Sequence, residues 1–281
     1  MPKELTETVK RRVAELGIVT VTRDDRCGLE RTWRSIERQS RSVRWHVVDG
    51  ASRDGSLEWL LELRQREPLL SFTSGPDDGP YDAMNRGWRA LEATYLLFLN
   101  AGDELYDSTS LERAERTLAT SDAPLVCCDV VLVDRQGRNS PGRPVERSLA
   151  ALDRFNAIFH QGALIARTLL QGLGGYDTRY RFCADYDFFL RCRENGVEAL
   201  FPTFPLARFV RDGLTHRRSL AWAYYREMAG VQRAHRLPVN RSLYLIGGAK
   251  ALLGETLSDA LRARISALFG GTRGATPLGR E

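Results

Sequence analysis

Polar residues able to bind a cation or a phosphate follow three strand-like runs of the 281-residue sequence. They lie at 22–24 (Thr-Arg-Asp), 49–50 (Asp-Gly) and 100–103 (Asn-Ala-Gly-Asp). No G-x-G-x-x-G segment follows the first run and no G-x-x-x-x-G-K-[ST] segment occurs, which excludes dinucleotide and P-loop sites. A divalent cation held by carboxylate oxygens would bind a diphosphate instead. Asp103, just past a fully apolar run, is the candidate ligand for that cation.

The runs that position these residues alternate between strand-like and helix-like patterns. Strands are predicted at residues 18–22, 43–49, 69–74, 95–100 and 125–133, and helices at 29–39, 56–66, 81–92 and 110–120. Such alternation predicts an α/β fold, a doubly wound, Rossmann-like and mostly parallel sheet with helices on both faces. Ligands of such sheets bind at the carboxyl ends of the strands, where the three polar segments fall.

The second half of the sequence has a different pattern. Residues 157–166 predict a strand holding His160, residues 185–195 a helix, and the chain after residue 210 becomes helical and basic. We expect four segments, 1–16, 17–134, 135–215 and 216–281, of which the first is an N-terminal tail or short helix and the last a helical basic extension.

Composition is that of an ordinary globular protein, with 43% apolar and 27% charged residues. It excludes a disordered tail protein, a collagen-like repeat and a disulfide-stapled miniprotein. The net charge is +5, and because the positive charge concentrates after residue 205, the rest of the chain offers no basic groove. We therefore expect no nucleic-acid partner.

The cysteines and the apolar runs indicate the cellular compartment of the protein. The five cysteines form no C-x-x-C pair and their number is odd, which indicates reduced thiols. The N-terminus is charged where a secretory signal is apolar, and no apolar run of about 18 residues occurs. These features predict a cytoplasmic protein, either soluble or peripheral at the inner face of the plasma membrane.

Several ordered motifs together resemble one known family. They are IVTVTRDD (18–25), VVDGASRDGS (47–56), GPDDGPYDAMNRG (75–87), LLFLNAGDELY (96–106), FHQGALIAR (159–167), GGYD (174–177) and ADYDFFLR (184–191). In this order they resemble the family 2 glycosyltransferases, which are inverting enzymes of GT-A fold, over about residues 17–215. The chain departs from the family pattern at Gly102, where many members carry Asp, and at Arg23-Asp24, where an aromatic-Asn pair is usual.

The resemblance implies that residues 17–134 are a nucleotide-sugar-binding half and residues 135–215 an acceptor-binding half of the same GT-A domain. It also implies roles for individual residues. Asp185 would be the general base that deprotonates the acceptor hydroxyl, with Asp187 as the alternative, and Asp103 would bind Mn²⁺ or Mg²⁺, with His216 as a second candidate. His160, Gln161 and Tyr186 would contact acceptor or phosphate, although His160 could equally be a packed core residue. The nucleotide-sugar donor would contact Thr22, Arg23, Asp49, Asp54, Tyr81, Asp82, Asn85 and Asn100.

The function implied is metal-assisted, inverting transfer of a sugar from a nucleoside diphosphate sugar to a hydroxyl of a glycan or lipid-linked acceptor. The alternatives are a non-catalytic nucleotide-sugar-binding protein and a sugar-1-phosphate nucleotidyltransferase, although residues 22–28 lack the Gly-rich loop that the latter needs. Residues 256–269 form an amphipathic basic stripe. This stripe could bind an anionic membrane surface, pack on the domain or form a homodimer.

Overall fold

The computed structural model describes residues 15–134, 136–210 and 218–239. The chain divides into two compact units. The first contains the residues up to 210 except 153–155, and the second contains 153–155 and the residues from 211 onward. The four-segment division expected from the sequence stays a prediction.

The first unit is built on a seven-stranded sheet. Its strands are β1 (Leu16–Thr22), β2 (Arg44–Asp49), β3 (Leu70–Ser74), β4 (Tyr95–Phe98), β6 (Leu125–Cys127), β9 (Ala163–Ala166) and β10 (Ala199–Leu200). They lie in the order β10-β6-β9-β4-β1-β2-β3. The pairs β4-β1, β1-β2, β2-β3 and β10-β6 are parallel, and β9 is antiparallel to both of its neighbours. The predicted mostly parallel sheet is confirmed.

Helices connect these strands, and a smaller second sheet follows. The helices of the first unit are α1 (Arg26–Glu37), α2 (Ser56–Arg64), α3 (Pro80–Ala90), α4 (Ser110–Thr120), α5 (Arg167–Gly172) and α6 (Ala184–Glu194). The second sheet has the order β5-β11-β7-β8, formed by β5 (Glu104–Leu105), β11 (Pro205–Val210), β7 (Asp129–Val133) and β8 (Asn139–Gly142). The predicted helices at 29–39, 56–66, 81–92, 110–120 and 185–195 are confirmed, with shifted ends for all except α4.

The central strands form because their residues are buried on both faces, as expected for parallel strands. Every residue of β1 is buried. Trp45 of β2 is almost completely buried and donates from Nε1 to Thr20 Oγ1 at 2.9 Å, while Thr20 donates to the Leu99 carbonyl at 2.7 Å. On α3, a Cβ at Gly87 would overlap Val19 of β1, so glycine allows this helix to lie close against the sheet.

Two predicted strands need correction. Residues 125–133 form two strands, β6 in the first sheet and β7 in the second. The strand is interrupted at Cys128, whose N–H donates to the Gly162 carbonyl at 2.8 Å. The strand predicted over 157–166 is β9 alone, and His160–Gly162 forms a single 3-10 turn before it. His160 therefore lies on a turn and not within a strand.

The second unit contains helix α7 (Arg218–Ala234) among the described residues. Gln232 of this helix donates to the Arg154 carbonyl of the same unit at 3.1 Å. A helix after residue 210 is thereby confirmed, whereas the amphipathic stripe at 256–269 lies outside the described residues. Across the described ranges, no helix combines the length and the apolar character needed to span a bilayer.

Candidate active site

The carboxyl edge of the parallel strands gathers most of the predicted donor residues. Asp49 ends β2 with no exposed surface, accepts from Ser74 Oγ at 2.6 Å and lies 3.3 Å from the N–H of Ser52. Thr22 ends the neighbouring strand β1, and its buried hydroxyl has no hydrogen-bond partner among the described residues. At this edge the hydrogen-bonded carboxylate of Asp49 therefore lies beside the hydroxyl of Thr22, which lacks a partner among the described residues.

Two loops above this edge are fastened to each other. Asp24 and Ala51 both adopt left-handed φ values, 51° and 58°, which are uncommon for residues other than glycine. Asp24 accepts from the N–H of Arg53 at 2.7 Å, and its own N–H donates to Ser52 Oγ at 2.8 Å. These bonds hold the strained conformation of the two loops in place.

Asp54 links the second of these loops to the starts of α1 and α2. It accepts from the N–H of Arg26 at 2.6 Å and from the hydroxyl of Ser56 at 2.6 Å. Burial raises the pKa of Asp54, but the hydrogen bonds from Ser56 and Arg26 outweigh it, so that the pKa lies below its ordinary value. These contacts support the loop, and the predicted contact of Asp54 with the donor stays a prediction.

Sequence reasoning missed Asp77 at this edge. A Cβ added to Gly50 would lie 2.5 Å from Asp77 Oδ2 and 3.3 Å from the Arg23 side chain, so the acidic group and the predicted donor residue Arg23 flank the same glycine. The signal was the acidic pair between Pro76 and Gly79 in the GPDDG segment. Asp82, by contrast, forms a 2.6 Å ion pair with Arg86 on its own helix.

Asp103 lies in a turn that α1 holds from beneath. Thr32 of α1 donates to the Asp103 carbonyl at 2.8 Å and accepts from the N–H of Gly102 at 3.1 Å. Gly102 has φ +93°, a conformation that strains any side chain. The Asp residue that many family members carry at this place would therefore be strained in this turn.

The Asp103 carboxylate is 4% exposed. Gln161 donates to its Oδ2 at 3.1 Å, and the N–H of Val210 lies 3.4 Å from its Oδ1. Burial raises the pKa of Asp103 to about 7, although His160 and the Gln161 hydrogen bond act in the opposite direction.

Few side chains are available to coordinate the predicted divalent cation. Among the described residues, no three His, Cys, Asp or Glu side chains lie close enough together to hold a metal ion on their own. Mg²⁺ and similar hard cations often bind one or two protein carboxylates and complete their shell with substrate phosphate and water. Asp103 fits a cation shared with a phosphate in this way. The second predicted ligand, His216, lies outside the described residues.

Asp185 approaches this edge from the first turn of α6. Its Oδ1 accepts from the N–H of Tyr186 at 2.8 Å and from the hydroxyl of Tyr81 at 3.1 Å, and its Oδ2 lies 3.3 Å from His160 Nδ1. Burial raises the pKa of Tyr81 well above its ordinary value, and the Asp185 charge adds to the shift, so the hydroxyl keeps its proton. Asp187 instead pairs with Arg191 Nε at 2.8 Å.

His160 also joins this group to the end of β4. Its Nε2 lies 3.3 Å from Asn100 Nδ2, and the buried Asn100 Oδ1 has no hydrogen-bond partner among the described residues. The structure thus brings six residues from four separate parts of the sequence into one hydrogen-bonded neighbourhood: Tyr81, Asn100, Asp103, His160, Gln161 and Asp185.

Asn85 and Tyr186, two of the predicted contact residues, have hydrogen-bond partners in the interior. Asn85 is 5% exposed; its Nδ2 donates to the Tyr176 carbonyl, and its Oδ1 accepts from the N–H of Tyr176 and from Trp88 Nε1. Tyr186 has no exposed surface, and its hydroxyl donates to the Leu152 carbonyl at 2.6 Å. Their predicted contacts with donor and acceptor stay predictions.

Comparison with known proteins adds a family and two relatives. The sequence model described as Glycosyl transferase family 2 matches residues 17–169. A PGL/p-HBAD biosynthesis glycosyltransferase of Mycobacterium bovis is 34% identical over 154 residues, which are 53% of this chain and 57% of that protein. An uncharacterised glycosyltransferase of Mycobacterium tuberculosis is 27% identical over 180 residues, 63% of this chain and 68% of that protein. The chain thus matches little more than half the length of the first relative.

Two solved structures share the fold. A Pyrobaculum calidifontis mannosyltransferase, PcManGT, in complex with GDP-Man and Mn²⁺ superposes with a TM-score of 0.63 at 18% identity, covering 92% of this chain and 76% of that one. Staphylococcus aureus TarS 1-349 in complex with UDP-GlcNAc superposes with a TM-score of 0.64 at 13% identity, covering 90% of this chain and 77% of that one. The predicted GT-A fold is confirmed by these two likenesses.

Proposed function

The chain belongs to glycosyl transferase family 2, whose model matches more than half of it, and from this premise we propose that it transfers a sugar from a nucleoside diphosphate sugar to an acceptor hydroxyl with inversion at the anomeric carbon. One observation carries the proposal. Two nearly buried carboxylates, Asp103 and Asp185, lie in a single hydrogen-bonded group at the strand edge where ligands of such sheets bind.

The donor would bind across the ends of β1, β2 and β4. Two solved neighbours were captured with GDP-Man and with UDP-GlcNAc, which supports a nucleoside diphosphate sugar as the ligand class. Asp49 would accept a hydrogen bond from the base. Its position beside Thr22, whose hydroxyl has no hydrogen-bond partner among the described residues, supports this role. Arg23, Asp54 and Asp82 remain proposed donor-side residues.

Asp103 is the residue that would hold Mn²⁺ or Mg²⁺. Such a cation would neutralise the negative charge that develops on the departing nucleoside diphosphate. The burial of Asp103 supports this assignment, because a bound cation would compensate the buried negative charge. Gln161 keeps one oxygen of that carboxylate in a fixed direction.

Asp185 would act as the general base. Its carboxylate takes the proton of the acceptor hydroxyl while that oxygen forms a bond to the anomeric carbon. The bond from this carbon to the diphosphate oxygen breaks, and its electron pair leaves with the diphosphate. Attack from the face opposite the leaving group inverts the configuration. Tyr81 and His160 orient the two oxygens of Asp185 for this step.

For the acceptor, we propose a glycan or a lipid-linked glycan at the inner face of the plasma membrane. The name of the Mycobacterium bovis relative places that protein in PGL/p-HBAD biosynthesis, and the basic residues after position 205 suit an anionic surface. Sedimentation with anionic liposomes tests this. The full chain should sediment more than a chain ending at residue 254, and equal sedimentation would refute the membrane role. A homodimer, the alternative use of that segment, would appear as a doubled mass in solution.

The experiment for the main proposal measures binding and turnover separately. UDP, GDP, dTDP and CMP compounds are screened by thermal shift with Mn²⁺ and with EDTA, and hydrolysis of the stabilising nucleotide sugar is then followed, with water in place of the acceptor. Asp103→Asn should abolish the metal-dependent shift. Asp185→Asn should keep the shift and lower hydrolysis by about 10²–10⁴.

Asp122→Asn is the matched control, because this exposed carboxylate precedes β6 and so lies at the opposite edge of the sheet. Its binding and hydrolysis should equal those of the wild type. Binding without hydrolysis in the wild type would favour a non-catalytic nucleotide-sugar-binding protein. No response to any nucleotide would refute the proposal.

A further inference from the structure

Adjacent side chains on one short turn contact the two carboxylates of the proposed site separately. The turn is His160–Gly162. His160 Nδ1 lies 3.3 Å from Asp185 Oδ2, and Gln161 Nε2 donates to Asp103 Oδ2 at 3.1 Å. His160 thus contacts the carboxylate on the acceptor side, and its neighbour Gln161 contacts the carboxylate on the donor side.

The ring of His160 has a defined hydrogen-bonding role. His160 Nε2 lies 3.3 Å from Asn100 Nδ2, and Nδ1 lies 3.3 Å from Asp185 Oδ2, where a proton on Nδ1 is donated to the carboxylate. The other oxygen of Asp185 already accepts from Tyr81 and from the N–H of Tyr186. Both Asp185 oxygens therefore have hydrogen-bonding partners, and the partner of Oδ2 is His160.

The turn itself is held rigidly. The N–H of Gly162 donates to the Phe159 carbonyl at 2.9 Å, and the Gly162 carbonyl accepts from Cys128 at 2.8 Å. A Cβ at Gly162 would lie 2.6 Å from the Cys128 carbonyl oxygen, a separation that only glycine tolerates. Cys128 is the residue at which the chain passes from β6 in one sheet to β7 in the other, so the turn is fastened where the two sheets join.

From these contacts we propose that His160 and Gln161 are positioning residues that fix the separation and direction of the two site carboxylates, His160 acting on Asp185 and Gln161 on Asp103. The proposal rests on the proposed function, since it assigns proton removal to one carboxylate and the donor side to the other. It differs from the expectation that these two residues touch acceptor or phosphate.

The test uses variants that separate the two contacts of His160. In His160→Asn the amide nitrogen takes the place of Nδ1 and can still donate to Asp185, whereas in His160→Gln it takes the place of Nε2 and cannot. Loss of such an orienting partner typically lowers activity or metal affinity about 10–100-fold. His160→Gln should lower donor hydrolysis about 10–100-fold, and His160→Asn should retain most of the rate. Both should bind nucleoside diphosphate with Mn²⁺ as tightly as the wild type.

Gln161→Leu should affect Mn²⁺-dependent nucleotide binding, where His160→Gln affects hydrolysis. It keeps the volume of the side chain and removes the donor to Asp103, so the Mn²⁺ concentration needed for half-maximal nucleotide binding should rise about 10–100-fold. Hydrolysis should fall only in proportion to the fraction of the protein that has bound Mn²⁺ and donor. Gln65→Leu, an exposed glutamine at the end of α2, is the matched control and should change neither quantity.

The outcomes distinguish the two proposals. If the wild type binds and hydrolyses no nucleotide sugar of the panel, the proposed function fails. If the wild type is active but His160→Gln matches it, or if His160→Asn and His160→Gln lose the same activity, the positioning role is refuted. Changes in both quantities for both residues would indicate a merely structural turn. Melting curves check folding, and if His160→Gln does not fold, His160→Ser replaces it in the comparison with His160→Asn.

Discussion

Replacing Gly175 with alanine should disturb the contact between α3 and the turn before α6 more than the same change at Gly174. The two glycines have the same left-handed backbone, with φ +75° and +76°. Nothing lies within 4 Å of a Cβ built on Gly174, whereas a Cβ on Gly175 overlaps Asn85 Oδ1 and lies 3.0 Å from Trp88 Nε1. The two variants therefore share the backbone strain and differ in the overlap.

The magnitude of each effect follows from these contacts. A left-handed conformation costs a residue with a Cβ about 1–2 kcal/mol, and this applies at both positions. Displacing Asn85 would also break the bonds that its Oδ1 accepts, from Tyr176 at 2.9 Å and from Trp88 at 3.0 Å. At about 0.5–1.5 kcal/mol each, these add about 1–3 kcal/mol. We expect a loss of unfolding free energy of about 1–2 kcal/mol for Gly174→Ala and about 2–5 kcal/mol for Gly175→Ala.

Urea unfolding followed by circular dichroism measures the difference, with a lower midpoint and an unchanged slope. Gly175→Ala should also slow donor hydrolysis, because Asn85 and Tyr81 lie on the same helix and Tyr81 donates to Asp185. Gly174→Ala should hydrolyse the donor as the wild type does. Equal destabilisation by the two variants would show that Asn85 moves aside without cost, and would refute the reasoning.

Three further predictions concern stability and exposure. Burial lowers the pKa of His46, so the unfolded chain binds this proton at a higher pH than the folded one, and stability is lost as the pH falls below about 6.5. In urea unfolding, His46→Leu should lose less stability than the wild type between about pH 7.5 and about pH 5.5. An equal loss would contradict the assignment. Only Cys27 of the five cysteines is exposed, so a thiol reagent should modify one cysteine in the native protein and five after unfolding, and a second fast native thiol would show that the burial is wrong. Asp54→Ala removes the bonds to Arg26 and Ser56 and should cost about 1–2 kcal/mol and weaken nucleotide binding in calorimetry; unchanged affinity would separate this loop from the donor site.

The fold could be predicted wherever a local pattern decides the structure. The parallel strands β1 to β4 are apolar runs separated by amphipathic helices, and both signals lie within a few residues. The break at Cys128 was not predicted, because LVCCDVVLV contains no Gly or Pro. At the break the Cys128 N–H donates to the Gly162 carbonyl, a partner distant in sequence.

The site divides in the same way. A residue that follows a parallel strand must lie at the carboxyl edge of the sheet, so its place can be predicted from the sequence. Asp49 and Asp103 lie at that edge. The direction of a polar side chain depends on partners that the local sequence does not reveal. Asn85 finds its partner in Tyr176, 91 residues away, and the hydroxyl of Tyr186 finds Leu152. Motif position alone assigned both residues to the ligand side.

The place of β9 in the sheet has a consequence for synthesis of the protein on the ribosome. β9 pairs with both β4 and β6, so until residue 166 has left the exit tunnel the growing chain carries two apolar strands with unpaired edges. Such edges are open to pairing with other chains, and long-range pairing of this kind is slow to form. The family match ends at residue 169, three residues past β9. A nascent chain stalled before that point would therefore be an aggregation-prone intermediate and a client for chaperones.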